Sequence, residues 1–185
     1  MSKGGRPYRV RPGVAADAPL LGAVERAAAA RFAEIGLQGI AEGRPTSEAA
    51  YQEAAAKGHL WVVEWLENPE AAEIVGLALA DRFDGEAFLA EISVHPAHAG
   101  RRLAVQLIDA VETWAAALGC RSLSLTTFRE VPWNRPYYEC LGFQLLDEVE
   151  AGPEVRAVRA KERARGMDIH GPRVCMIRAI RGKTL

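Results

Sequence analysis

With 185 residues, 49% of them apolar, the chain is expected to form one compact domain over residues 1–185, burying roughly 70% of its unfolded surface without disulfides or metals as staples. Its 23 basic and 24 acidic side chains leave a net charge of -1, so no electrostatic footprint points to nucleic acid or an anionic membrane. The opening MSKGGRPYRVRPG lacks the apolar core of a signal peptide, and no later run reaches the ~20 apolar residues of a membrane helix, which predicts a soluble, cytoplasmic protein.

Taken in chain order, Tyr8 to Arg11 reads as a short strand, and Asp17 as the cap of a helix with apolar positions Leu21, Val24, Ala28, Phe32 and Ile35, stopped by Gly36. After a glycine-rich loop, Thr46 or Ser47 caps a second helix that ends at Gly58. HLWVVEWLE, EIVGLALADRF and EAFLAEISV then read as an antiparallel meander, its last two strands joined by Asp84-Gly85. Arg101 to Leu118 is a helix closed by Gly119, and CRSLSLTTF is a strand. A short helix ending at Gly142, a strand FQLLDEVE, a late helix EVRAVRAKERARG and a last strand RVCMIRAI complete the order. Cys120, Cys140 and Cys175 are odd in number, lack zinc or redox spacing, and read as reduced core thiols.

The most informative stretch runs from Glu91 to Ile108, where LAEISVHP breaks at Pro96 and passes through AHAGRRLA into a helix. First-turn amides lack intrahelical partners and carry the positive dipole end, so a phosphate there gains hydrogen bonds and roughly 0.3 to 2 kcal/mol of attraction. A phosphate-bearing cofactor is therefore the first expectation.

Val94-His95-Pro96 with its following loop and helix, together with WNRPYYECLGF from Trp133 to Phe143, resembles the cofactor and catalytic segments of GNAT-type N-acetyltransferases. The resemblance extends through the order of elements across nearly the whole chain. It implies an α/β fold with a mixed, mostly antiparallel, V-splayed sheet flanked by helices, acetyl-CoA as co-substrate and no metal. The family's phosphate loop reads Arg or Gln, two residues, Gly, one residue, then Gly or Ala. Here those positions hold Ala99, Arg102 and Ala104, and only the last conforms. Gly100, Arg101 and Arg102 are expected to rebuild the cradle with charge, followed by Leu103 and Ala104 at the helix start. By the resemblance, backbone groups of Ile92, Ser93 and Val94 grip the pantetheine arm, and Asn134 joins the cofactor site.

Asn134 followed by Pro136 reads as a helix start, with Tyr138 one turn beyond. The resemblance makes Tyr138 the acid that protonates the departing thiolate, and a phenol near pKa ~10 suits that leaving group. Tyr137, about 100 degrees round the helix, is assigned to packing or substrate lining. An alkylammonium is mostly protonated at neutral pH, so a base is required, and Glu91 in the apolar run FLAEISV is the candidate. Ser93 shares its face and is placed to orient water or substrate. His95 and His98 are assigned to the loop before the helix.

Paired metal-ligand spacing, a G-x-S-x-G elbow and a Walker pattern are all missing from the sequence. The basic run from Arg156 to Arg165 reads as a solvated helix face. Substrate choice is assigned to the N-terminal helices and their loop, with Trp133 and the late helix. Glu34, Glu42 and Glu48 are candidates to draw a cationic amine, and Phe32 and Tyr51 to line an apolar pocket. The expected reaction is acetyl transfer to a primary amine of a small molecule, by direct attack in a ternary complex. The alternatives are a degenerate binding module and an enzyme acting on protein N-termini or lysines. The last strand is a candidate contact between two copies.

Overall fold

The computed structural model describes residues 7–67 and 72–180; the first six residues, examined above for a leader, lie outside that range. Among the described residues are seven strands and six α-helices. The strands are β1 (Tyr8–Pro12), β2 (Leu60–Trp65), β3 (Glu73–Phe83), β4 (Glu86–Val94), β5 (Ser122–Phe128), β6 (Gln144–Leu146) and β7 (Arg173–Ala179). The helices are α1 (Ala18–Ala29), α2 (Gln38–Ala41), α3 (Glu48–Lys57), α4 (Leu103–Ala117), α5 (Arg135–Cys140) and α6 (Pro153–Ala164). In hydrogen-bonding order the strands run β1-β2-β3-β4-β5-β7-β6, a mixed, mostly antiparallel sheet with the β4–β5 pair parallel.

The chain clusters into two compact units, one built from residues up to Leu79 with Glu91–Val111, the other from Ala80–Ala90 with the residues from Glu112 onward. In the first, Ala18, Leu21 and Val24 recur on one face of α1 and pack with Tyr51, Leu60, Val62, Ile74 and Leu77. Fully burying a leucine-sized side chain is worth about 1.5–3 kcal/mol, so this cluster holds the N-terminal helices to β2 and β3. Ser47 caps α3 as expected, its hydroxyl accepting from the Ala50 amide. Asp17 does not cap α1. Its carboxylate is taken by the Val14 amide and the Arg11 guanidinium, and Arg11 also reaches Glu64, buried in β2 and shared with Arg9. A charge partner outcompetes the local cap because it offers a charge-assisted pair. The helix stops at Ala29 and a 3₁₀ stretch, Ala30–Ile35, carries the chain to left-handed Gly36, which leaves Ile35 exposed. The glycine-rich loop contains the unexpected short helix α2.

In the second unit Phe88, Ala151, Val155 and Cys175 form a core with Phe83, Leu146 and Val158. The β3–β4 hairpin turns at Asp84 and Gly85, both with positive φ, as a two-residue type I′ connection requires. Asp84 also accepts from the Glu154 amide at the start of α6, while the Glu154 carboxylate accepts from the Asp84 amide. This is a reciprocal cap supplied from another element, and a Cβ on Gly152 would collide with the Asp84 side chain. The expected strand FQLLDEVE is only three residues long, because the segment from Asp147 turns back on itself through the Ala151 amide and the Asp147 carbonyl.

Two further expectations are corrected. The run from Arg156 to Arg165 is not simply a solvated face: Arg159 is buried and donates to Glu162 and Asp168, and Glu162 accepts in turn from Arg173 and Thr126. Paired, hydrogen-bonded charges tolerate burial that a lone arginine does not. Cys140 is exposed, whereas Cys120 and Cys175 are core thiols. β7 is hydrogen-bonded to β5 along its length and to β6 at Cys175–Ile177. Among the described residues no helix is long and apolar enough to cross a membrane, and no group of three metal-ligating side chains converges.

Candidate functional site

In the first unit the end of β4 delivers Glu91, Ile92, Ser93 and Val94 in succession. Alternation puts Glu91 and Ser93 on one face, and the buried Ser93 hydroxyl donates to Glu91 Oε1 at 2.7 Å. The β3 pairing continues past the strand end through the His95 amide and the Val75 carbonyl, 2.8 Å. Gly76 sits beneath this point, where a Cβ would lie 3.2 Å from the Ser93 carbonyl oxygen.

Pro96–His98 then form a 3₁₀ turn, and Gly100 and Arg102 both take positive φ, 75° and 58°, before α4 begins at Leu103. A left-handed non-glycine residue costs on the order of 1 kcal/mol and is worth explaining wherever it occurs. Arg102 stands at the position where glycine was expected, and the backbone keeps the glycine-like conformation in spite of its Cβ. The arginine side chains part company here. Both are exposed, but Arg101 Nη1 donates to the Ala97 carbonyl at 2.8 Å. Leu103 is buried and anchors the first turn, and Ala104 is half-buried. The first-turn amides of a 15-residue helix are thereby left at a turn that packing holds in place.

Beneath this loop lies a group to which the sequence assigned no role in the site. His98 is buried, its Nδ1 is 2.9 Å from the Tyr8 hydroxyl, and its ring meets the Trp65 ring edge-on at 4.9 Å. Burial first, and then the Arg101 charge, hold the imidazole below its ordinary pKa. A second missed group pairs Tyr51 with Glu25: the phenol donates to a carboxylate that also accepts from the Thr46 amide, tying α3, α1 and the glycine-rich loop together. Burial and then the Glu25 carboxylate push the phenol well above its usual range, with Glu91 adding to the effect. No local signal links residues 25 and 51; only packing does.

In the second unit Asn134 precedes α5, with Pro136 in its first turn. The expected side-chain cap is absent: Asn134 has φ -108° and ψ -106°, and makes no side-chain cap bond. Its carbonyl instead accepts from the Tyr138 amide at 3.0 Å, which fixes Tyr138 one turn on. The half-buried Tyr138 ring lies between Tyr137, at 5.8 Å, and Phe143, at 5.6 Å, and the Phe143 amide donates to the Tyr138 carbonyl. Each unit thus gathers its own predicted residues, Glu91 through Ala104 in one, Asn134 and Tyr138 in the other.

The model of the acetyltransferase (GNAT) family matches residues 26–143, a span that contains the β4 end, the loop, α4 and α5. The chain belongs to the GNAT acetyltransferase family. Its fold is also that of solved GNAT-like structures. N-acetylglutamate synthase from Neisseria gonorrhoeae, complexed with coenzyme A and N-acetyl-glutamate, aligns with TM-score 0.69 and 18% identity over 97% of this chain and 36% of that one. The chain thus spans about a third of the synthase. PaiA N-acetyltransferase from Thermoplasma acidophilum, complexed with coenzyme A, aligns with TM-score 0.64 and 14% identity over 93% and 98% of the two chains. The ribosomal-protein-S18-alanine N-acetyltransferase from Escherichia coli aligns with TM-score 0.62 and 16% identity over 96% and 98%. Against the family's phosphate-loop pattern, this chain departs at Ala99 and Arg102.

Proposed function

We propose that this GNAT member transfers an acetyl group from acetyl-CoA to the primary amine of a small molecule, by direct attack within a ternary complex. The observation that carries the reading is the left-handed Arg102, which preserves the turn onto α4 although the glycine is gone. The residues fit the group: two positive-φ positions, Gly100 and Arg102, lead into a helix N-terminus whose first-turn amides suit an anion, and the exposed Arg102 adds a guanidinium to that loop. Acetyl-CoA would supply the acetyl group as an activated thioester.

The backbone of Ile92, Ser93 and Val94 would hold the pantetheine arm, and the amides from Gly100 to Ala104, with the Arg102 guanidinium, the phosphates. Asn134 would join that grip. Glu91 would take the ammonium proton, directly or through a water, so that the amine is neutral when it attacks. The Ser93 hydroxyl donates to Glu91 Oε1, which orients the carboxylate for that transfer. Tyr138 would give its phenolic proton to the leaving sulfur, and such positioned transfer contributes about 10²–10⁴ in rate. Direct attack needs no acyl-enzyme, and none of Glu91, Ser93 or Tyr138 is asked to act as a nucleophile.

Calorimetric titration with acetyl-CoA, beside Arg102→Glu, tests the cradle without the acceptor. Micromolar binding weakened at least tenfold by the charge reversal supports it; no heat up to millimolar acetyl-CoA would sink the acetyltransferase reading. A screen of small amines and of peptides with free N-termini or lysines, read as released thiol, then tests the acceptor class. Turnover with peptides alone would replace the small-molecule proposal by a protein acceptor.

A further inference from the structure

Both adjacent arginines of the loop are exposed, but Arg101 is bonded back to the loop itself. Arg101 folds back: its Nη1 donates to the Ala97 carbonyl at 2.8 Å, makes a longer contact with the Ala99 carbonyl at 3.4 Å, and its guanidinium carbon lies 6.0 Å from the centre of the Tyr8 ring. Tyr8 in turn is bonded to His98 at 2.9 Å, and buried His98 packs against Tyr8 and Trp65. Side chains from β1, β2 and the 3₁₀ turn therefore converge on the underside of one loop. A conformation that includes a left-handed arginine needs such support, because a strained residue persists only when its surroundings over-determine it.

Resting on the loop's assignment as the acetyl-CoA cradle, we propose that Arg101 is a positioning residue and not a phosphate ligand, bracing the loop with Tyr8 and His98 while Arg102 meets the phosphates. A guanidinium that faces phosphate acts through charge, so its loss changes how affinity responds to salt. A guanidinium that ties down carbonyls acts through geometry, and its loss changes how often the loop is competent without changing that response.

The test titrates coenzyme A into the full chain at 50 and 300 mM salt, comparing Arg101→Gln, Arg102→Gln, Tyr8→Phe and the Arg101→Gln/Tyr8→Phe double variant. Arg102→Gln should weaken binding and flatten its salt dependence. Arg101→Gln should weaken binding by about threefold to tenfold, the weight of a hydrogen-bonded brace, with the wild-type salt dependence intact. The double variant should lose less than the product of the two single losses, since both break one brace. A flattened salt dependence in Arg101→Gln, or unchanged affinity, overturns the proposal. Amide exchange in the free protein separates this result from the cradle itself: the amides from Gly100 to Ala104 should exchange faster in Arg101→Gln and Tyr8→Phe. Faster exchange without coenzyme A binding by the wild type would fail the cradle and with it the assignment of Arg101; unchanged exchange would refute the brace directly.

Discussion

The loop before α4 and the turn into α5 depart from their sequence patterns in opposite ways. At the loop the residues change and the backbone stays: Arg102 stands where glycine was expected, yet holds φ 58°. At α5 the residues stay and the bonding changes: Asn134 and Pro136 spell a helix start, yet Asn134 makes no side-chain cap bond. A motif is a record of side chains, and a site is a set of backbone and side-chain positions. Where tertiary packing supplies the position, as the contacts under Arg101 and His98 do, the letters are free to drift. Where the letters remain but the local bond is unmade, another use of the side chain has to explain them.

The sharpest break of this comparison is Tyr138→Phe. Loss of the proton donor should cost about 10²-fold or more in kcat for acetyl transfer, with acetyl-CoA affinity within about twofold of wild type. An equal loss of affinity would mean that the ring, and not the hydroxyl, is what the site needs. Next comes Arg102→Gly, whose two readouts should move in opposite directions. Relief of the left-handed strain should raise stability by about 1 kcal/mol in urea melts, while loss of the guanidinium weakens acetyl-CoA severalfold. Tighter binding by the glycine variant would show that the arginine is tolerated rather than used.

Paired cap variants sharpen the α5 side. Ser47→Ala removes a bond that exists and should cost about 1 kcal/mol, whereas Asn134→Ala removes none and should cost under about 0.5 kcal/mol while weakening acetyl-CoA. Equal losses of stability would mean that Asn134 serves the helix after all. The gentlest perturbation is acid. The Arg11 guanidinium holds the Asp17 carboxyl below its usual 3.8, so the folded state releases that proton more readily than the unfolded chain. This contribution is complete above pH ~4 and fades as pH falls through the lower folded value, and Asp17→Asn should flatten that part of the acid limb in stability-against-pH measurements.

Much of the fold was legible because the signals were local. β3 and β4 begin and end where alternation and Asp84-Gly85 place them, and Ser47 and Gly58 bound α3 as expected. The misreadings occurred where a charged partner outside the simple helix pattern claimed a side chain. Asp17 left its helix for Arg11, and Arg159 of the arginine run was buried against Glu162 and Asp168. The relative placement of the candidate residues was legible to a similar degree. Glu91 with Ser93, and Tyr138 one turn beyond Asn134, follow from periods of two and 3.6. The brace of Tyr8, Trp65 and His98 does not, since it joins residues up to 90 positions apart.

By itself, then, the sequence determined the order and type of the elements, the strand-to-helix anion motif and the residue types fit for acid and base work, because backbone periodicity and turn chemistry act over a few residues. Only the tertiary structure decided that Arg102 would keep a glycine's conformation, that Arg101 would bond back to the Ala97 carbonyl and that His98 would be buried. Each of those outcomes depends on packing and hydrogen bonds with β1, β2 or the preceding turn, and the energy of such contacts is set by proximity in space, which neighbouring residues along the chain do not encode.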